Sequence, residues 1–195
     1  MTAPRNWTSC WPDCLLERAL KNQVGAARVK LERNASPNFL IVDAQRLKNS
    51  DIAWSKGCDS GKTVSGIKRR LAVATQGFPH AVAITAANVS DRNGAELAFE
   101  RCAEALQTVK SVLADGGHTG EDSADEVLGT LGATVQIAKR NELHTFEVIP
   151  QRWIVERSFA WLEKYRRLWK NCERELNTSL QFVHLAFLAR VLKRF

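Results

Sequence analysis

Four apolar residues in unbroken succession, Phe39-Leu40-Ile41-Val42, follow the turn-rich stretch Asn34-Ala35-Ser36-Pro37-Asn38 and stop at Asp43. A short continuous apolar run between such breaks suits a strand covered on both faces, in the middle of a sheet. Val109 to Ala114 forms a second apolar strand, and Asp115-Gly116-Gly117 ends it. Between them, Arg70 to Thr75 and Ala81 to Thr85 flank Gln76-Gly77-Phe78-Pro79 and read as two antiparallel strands joined by a turn. Ala133 to Ala138 alternates as a fifth strand.

Helical spacing fills the rest. Leu15, Leu16, Ala19, Leu20, Val24, Ala27 and Leu31 predict a lead-in helix within 13–33. Ala95 to Leu106 predicts a second, capped by Asn93 or Asp91, and Glu121 to Leu131 a third. Two more are expected over Gln151 to Lys170 and Thr178 to Lys193, with a polar, glycine-containing loop near Gly57 to Gly66. The order predicts an α/β fold: a mixed five-stranded sheet flanked by helices, the antiparallel part first. We divide the chain into a lead-in at 1–36 and a main domain at 37–195.

At 195 residues and 45% hydrophobic content, the chain suits one globular core. Five cysteines at scattered positions are odd in number and fit reduced thiols rather than a disulfide framework. Cys10 and Cys14 lack a nearby second Cys/His pair, which argues against zinc. With neither an apolar leader nor an uninterrupted apolar span, the expected location is cytoplasmic, away from any membrane. The net charge is +7, and residues 139–195 hold 12 Lys/Arg against 6 Asp/Glu. Such a basic segment suits either a polyanion or an ordinary solvated surface.

Asp43 and Asp115 both follow apolar strands, where ligand crevices of α/β sheets form. If those strands are parallel neighbours, the two acids meet and repel unless a cation lies between them. Mg²⁺ or Mn²⁺, hard ions that prefer carboxylate oxygens, are the fitting partners. Taken singly, an aspartate at a strand end also serves as a plain turn former. Glu156 lies opposite the apolar stripe of Ile154, Ser158, Trp161, Leu162, Tyr165 and Leu168, on a face with Arg152, Glu163, Arg167 and Lys170. There it suits a metal ligand or an i, i+4 ion pair. Two divalent ions held by three such acids suit in-line displacement at phosphorus. Lys62, Lys68, Arg69, Arg70, Lys139, Arg140, Arg152 and Arg157 are candidates to hold flanking DNA phosphates, each also readable as a surface cation. Trp153, Trp161 and Trp169 suit core packing, with base stacking as the alternative.

Taken in order, Ile41-Val42-Asp43-Ala44-Gln45, Gly57-Cys58-Asp59-Ser60-Gly61-Lys62, Ala86-Ala87-Asn88-Val89-Ser90-Asp91-Arg92, Ala114-Asp115-Gly116-Gly117-His118-Thr119-Gly120 and Arg152 to Leu162 followed by Tyr165-Arg166-Arg167-Leu168 carry a family resemblance. The chain resembles the catalytic region of bacterial insertion-sequence transposases of the IS5 group, within the broader IS4-like class. That resemblance implies a ribonuclease H-like fold and an Asp-Asp-Glu site made of Asp43, Asp115 and Glu156, working as catalytic residues and as ligands to two Mg²⁺ or Mn²⁺ ions. It implies cleavage of double-stranded DNA at transposon inverted-repeat ends, strand transfer into target DNA, a homodimer on DNA and a place with the bacterial nucleoid.

Departures from the family pattern are specific. His118 stands where Tyr is usual. In the wider Tyr-x2-Arg-x3-Glu-x6-Lys signature, Arg152 and Glu156 fit, Ile149 replaces Tyr and Glu163 replaces Lys. The match is poor before residue 15, where the family carries a helical segment for end recognition. A truncated, non-catalytic DNA-binding fragment acting as inhibitor or partner subunit is therefore the alternative expectation. A ribonuclease acting on RNA–DNA hybrids shares the acids but not the resemblance of the Arg152 to Leu168 block.

Overall fold

In a computed structural model, residues 14–55, 57–59, 64–115, 132–138 and 151–195 are described. The chain runs α1 (Leu15–Lys30), β1 (Phe39–Lys48), β2 (Gly57–Asp59), β3 (Val64–Val73), β4 (Pro79–Ala86), α2 (Asp91–Cys102), a 3-10 turn (Ala103–Leu106), β5 (Ser111–Asp115), β6 (Thr134–Ala138), α3 (Arg152–Glu163) and α4 (Leu176–Arg194). The sheet is mixed, in the order β4-β3-β1-β5-β6, with the short β2 pairing the start of β3. β1, β3 and β4 are antiparallel; β5 and β6 join parallel to β1. This is the expected arrangement, with a sixth strand where the polar loop was anticipated.

β1 lies at the centre because both of its faces are apolar. Side chains alternate along a strand, so Ile41 enters one core while Leu40 and Val42 enter another. The Ile41 core is built with Leu71, Val73, Val82 and Ile84 and covered by α1, α3 and α4. The opposite face meets α2 through Ala72, Ala81, Ala83 and Ala98, whose small side chains let helix and sheet approach around Phe99. Leu20, Val24 and Ala27 place α1 in the first core, so the lead-in helix packs as part of the same body.

Three local expectations change. Asp43 does not end β1, which continues to Lys48 because β3 supplies a partner as far as Gly66. The helix expected to reach Lys170 stops at Glu163, and turns follow. α2 is capped by Ser90, whose side chain accepts from the Asn93 amide at 3.1 Å, rather than by Asp91 or Asn93. The helix expected over Glu121 to Leu131 lies outside the described residues.

Candidate active site

β5 is shorter than β1 and pairs with it from Phe39↔Ser111 as far as Val42↔Ala114. Asp43 and Asp115 each follow that last pair by one residue, on adjacent parallel strands. The sequence expectation that the two acids share a sheet edge is therefore met at the backbone, although β1 itself runs on. The Asp115 side chain lies outside what is described. Asp43 is half-buried, and its Oδ1 accepts from the Ala44 amide at 2.7 Å.

α3 brings the third acid. Its inner face, Ile154, Val155, Ser158, Phe159, Trp161 and Leu162, is buried, leaving Glu156 exposed. Arg152, in the first turn, lies between the two carboxylates. Its Nη2 is 3.9 Å from Asp43 Oδ2, and its Nε is 3.4 Å from Glu156 Oε1. Gln151, immediately before, has φ 73°, a left-handed backbone that non-glycine residues seldom adopt. Asp43 and Glu156 thus both face the Arg152 guanidinium. Among the described residues no three His, Cys, Asp or Glu side chains form a ready metal cluster.

A second chain of contacts fixes α3 against β1. Arg69 is fully buried; its Nη1 donates to the Leu168 carbonyl at 3.3 Å, and its Nη2 donates to Gln45 Oε1. Gln45 Nε2 in turn donates to Glu163 Oε1 at 2.5 Å. Burial lowers the Arg69 pKa to about 10, against the opposing pull of Glu163. Glu163, which replaces the lysine of the wider signature, therefore closes a contact with β1.

The basic candidates divide. Lys68, Arg69 and Arg70, expected to meet phosphates, are buried within β3, and that expectation is corrected. Lys68 donates to the Val89 carbonyl at 2.9 Å and pairs Asp59 at 3.1 Å. Arg70 donates to Thr85 Oγ1 at 2.6 Å and to the Ser90 carbonyl at 2.7 Å, tying β3 to the start of α2. Lys68 and Arg70 thus face α2, Arg69 faces the turns after α3, and all three donate to protein oxygens. Arg157 is half-buried on α3, while Lys62, Lys139, Arg140 and His118 lie outside the described residues.

Asp59, in the Gly57 to Lys62 motif, has a role that its motif does not announce. It pairs Arg46 at 2.5 Å as well as Lys68, and the Arg46 hydrogen bond holds its carboxyl well below the usual carboxylate range. No local sequence signal links Asp59 to Arg46. Trp54, 67% exposed and facing Arg174, was also missed; an apolar Ile52-Ala53-Trp54 within a polar loop is the signal for it. Of the three tryptophans expected to pack, Trp161 does, whereas Trp153 and Trp169 are exposed. Among the described residues no helix is long and apolar enough to cross a membrane.

Against known proteins, residues 34–192 match the family model described as "Transposase DDE domain". The chain is 32% identical over 173 residues to a Burkholderia cepacia protein assigned by name as a transposase for insertion sequence element IS402. The match covers 83% of this chain and 79% of that relative. A looser likeness, at 14% identity and a TM-score of 0.39, is to the crystal structure of the Mos1 mariner paired end complex with Mn. It covers 100% of this chain and 65% of that one.

Proposed function

The chain belongs to the transposase DDE-domain family, DNA transposase enzymes that use divalent metal ions, and on that premise we propose that Asp43, Asp115 and Glu156 are its catalytic carboxylates. The supporting observation is the convergence of β1, β5 and α3: Asp43 and Asp115 follow the same strand pair, and Asp43 shares Arg152 with Glu156. The motifs of the sequence suit the IS5 group within that family.

The reaction we assign is cleavage of double-stranded DNA at transposon inverted-repeat ends, followed by attack of the freed 3′-hydroxyl on target DNA. Two Mg²⁺ or Mn²⁺ ions held by the three carboxylates would supply activation of the attacking oxygen and stabilisation of charge at phosphorus. Arg152 balances Asp43 and Glu156 beforehand, and its guanidinium is placed to move onto an incoming phosphate. Gln45 and Arg69 position α3, and with it Glu156, against β1. Arg157, with Lys62, Lys139 and Arg140, is assigned to the DNA backbone. Joining two ends calls for two active sites, so the working form is a homodimer on DNA, associated with the bacterial nucleoid.

The test is cleavage of labelled duplex carrying the element's end, in Mn²⁺ or EDTA, by the wild type and by Asp43→Ala and Glu156→Gln. Metal-dependent exposure of a 3′-hydroxyl, lost in both variants, is the expected result. Salt-sensitive binding without cleavage would sink the catalytic reading and leave a DNA-binding fragment.

A further inference from the structure

α4 ends in Arg190 and Arg194, one helical turn apart and on one stripe. Arg190 lies over the Trp161 ring at 4.5 Å, and Arg157 of α3 lies over the same ring at 5.1 Å. Arg157 also stacks on Trp153 at 4.6 Å, and Arg194 on Phe78 at 5.8 Å. Three guanidinium groups from two helices thus gather at the β3–β4 turn around aromatic faces. Among the described residues none of the three has a carboxylate within salt-bridge distance, in contrast to Arg46, Arg152 and Arg167. Burial, then Arg194 and Arg190, lower the Arg157 pKa.

Like charges repel, and a packing role needs only the apolar stems. Each guanidinium carries five N–H donors. Arg157 places one bond on the protein, to the Gln76 carbonyl at 3.3 Å, while Arg157 Nε and Arg190 Nε are shut from water without a partner. Ring stacking engages the guanidinium faces rather than the terminal N–H edges, and such edges match phosphate oxygens in pairs.

We propose that Arg157, Arg190 and Arg194 form a phosphate-binding site for the duplex DNA backbone, beside the carboxylate face rather than on it. Arg157 follows Glu156 on α3, so the cluster stands on the same helix that carries the third acid. The identity of the polyanion rests on the proposed transposase function. The site adds two C-terminal residues that carry no recognisable motif.

The test is binding of a fluorescein-labelled random-sequence duplex by anisotropy across a salt series, with wild type, Arg190→Gln/Arg194→Gln and Arg190→Lys/Arg194→Lys. Thermal unfolding of each confirms that folding is retained. Loss of two phosphate contacts is expected to reduce the slope of log K against log salt by about 1.8 in the Gln pair. The Lys pair keeps the slope and binds more weakly, because the charge remains but the planar fork is gone. An unchanged slope in the folded Gln pair overturns the proposal, as does a wild type that shows no salt-dependent duplex binding. Wild-type binding that weakens as expected in the Gln pair, without cleavage of end DNA, upholds this site and sinks only the catalytic reading.

Discussion

Replacing Arg152 by alanine should tighten binding of Mn²⁺, because the guanidinium occupies the charge position a metal ion would compete for. At 3.9 and 3.4 Å from the two carboxylates, each attraction is about 4–5 kcal/mol before solvation, for an effective dielectric constant of about 20. The Glu156 side chain is 59% exposed, so solvent reduces that pair to a few tenths of a kcal/mol. The Asp43 pair is more sheltered, at 21% and 17% exposure, and retains roughly 1–2 kcal/mol. Removing Arg152 should therefore lower the Mn²⁺ dissociation constant about 5- to 30-fold, at 1.4 kcal/mol per factor of ten. Titration calorimetry or Mn²⁺ paramagnetic resonance on the DNA-free protein reads this directly, with Asp43→Ala as the variant that loses binding. Unchanged or weaker Mn²⁺ affinity in a folded Arg152→Ala protein would refute the reasoning. The same variant should cleave DNA more slowly despite binding metal better, since it lacks a phosphate donor.

Ser158 is buried, and its single hydroxyl proton is shared between the Gly77 carbonyl at 2.7 Å and the Ile154 carbonyl at 2.9 Å. Ser158→Ala should cost about 1–3 kcal/mol, seen as a lower denaturant midpoint, because the Gly77 oxygen is left unpaired. A Cβ added at Gly66 would land on the Leu47 carbonyl oxygen. Gly66→Ala must then part β1 from β3, and a loss of several kcal/mol is expected; a near-neutral unfolding curve would show that the strands are not held so closely. His80 has its pKa lowered to about 3 by burial, Arg28 and Lys21. The unfolded chain takes up this proton near pH 6.5 and the folded one does not, so stability falls as pH drops from 6.5 towards 3, by at most about 1.4 kcal/mol per unit. His80→Gln should flatten that part of the stability profile, and an equal slope in both proteins would assign the effect elsewhere.

Strand and helix identities were legible where burial imposes a period. Phe39-Leu40-Ile41-Val42 announced a central strand because both faces need apolar residues, and the stripe on α3 announced which side of Glu156 is solvent. Element ends were less legible. β1 outlasts its apolar run because pairing with Leu71, Arg69 and Lys68 of β3, remote in sequence and outside any local pattern, carries Asp43, Gln45 and Arg46 through as strand. α3 stops at Glu163 although the stripe continues through Tyr165 and Leu168, since those two side chains also pack from the following turns.

The sequence by itself determined the mixed α/β architecture, the apolar faces that build its two cores and the acidic residues at the ends of its motifs. Local periodicity encodes burial, and burial drives these choices. Tertiary structure alone decided which charges are spent inside. Lys68, Arg69 and Arg70 are consecutive cations that read as a basic surface, yet β4, α2 and the turns after α3 cover them and supply their acceptors. Arg157, Arg190 and Arg194 are scattered along the chain and meet only because α3 and α4 pack on one sheet face. A charge looks alike in sequence whether it ends beside a carbonyl, a carboxylate or water, and long-range packing settles which.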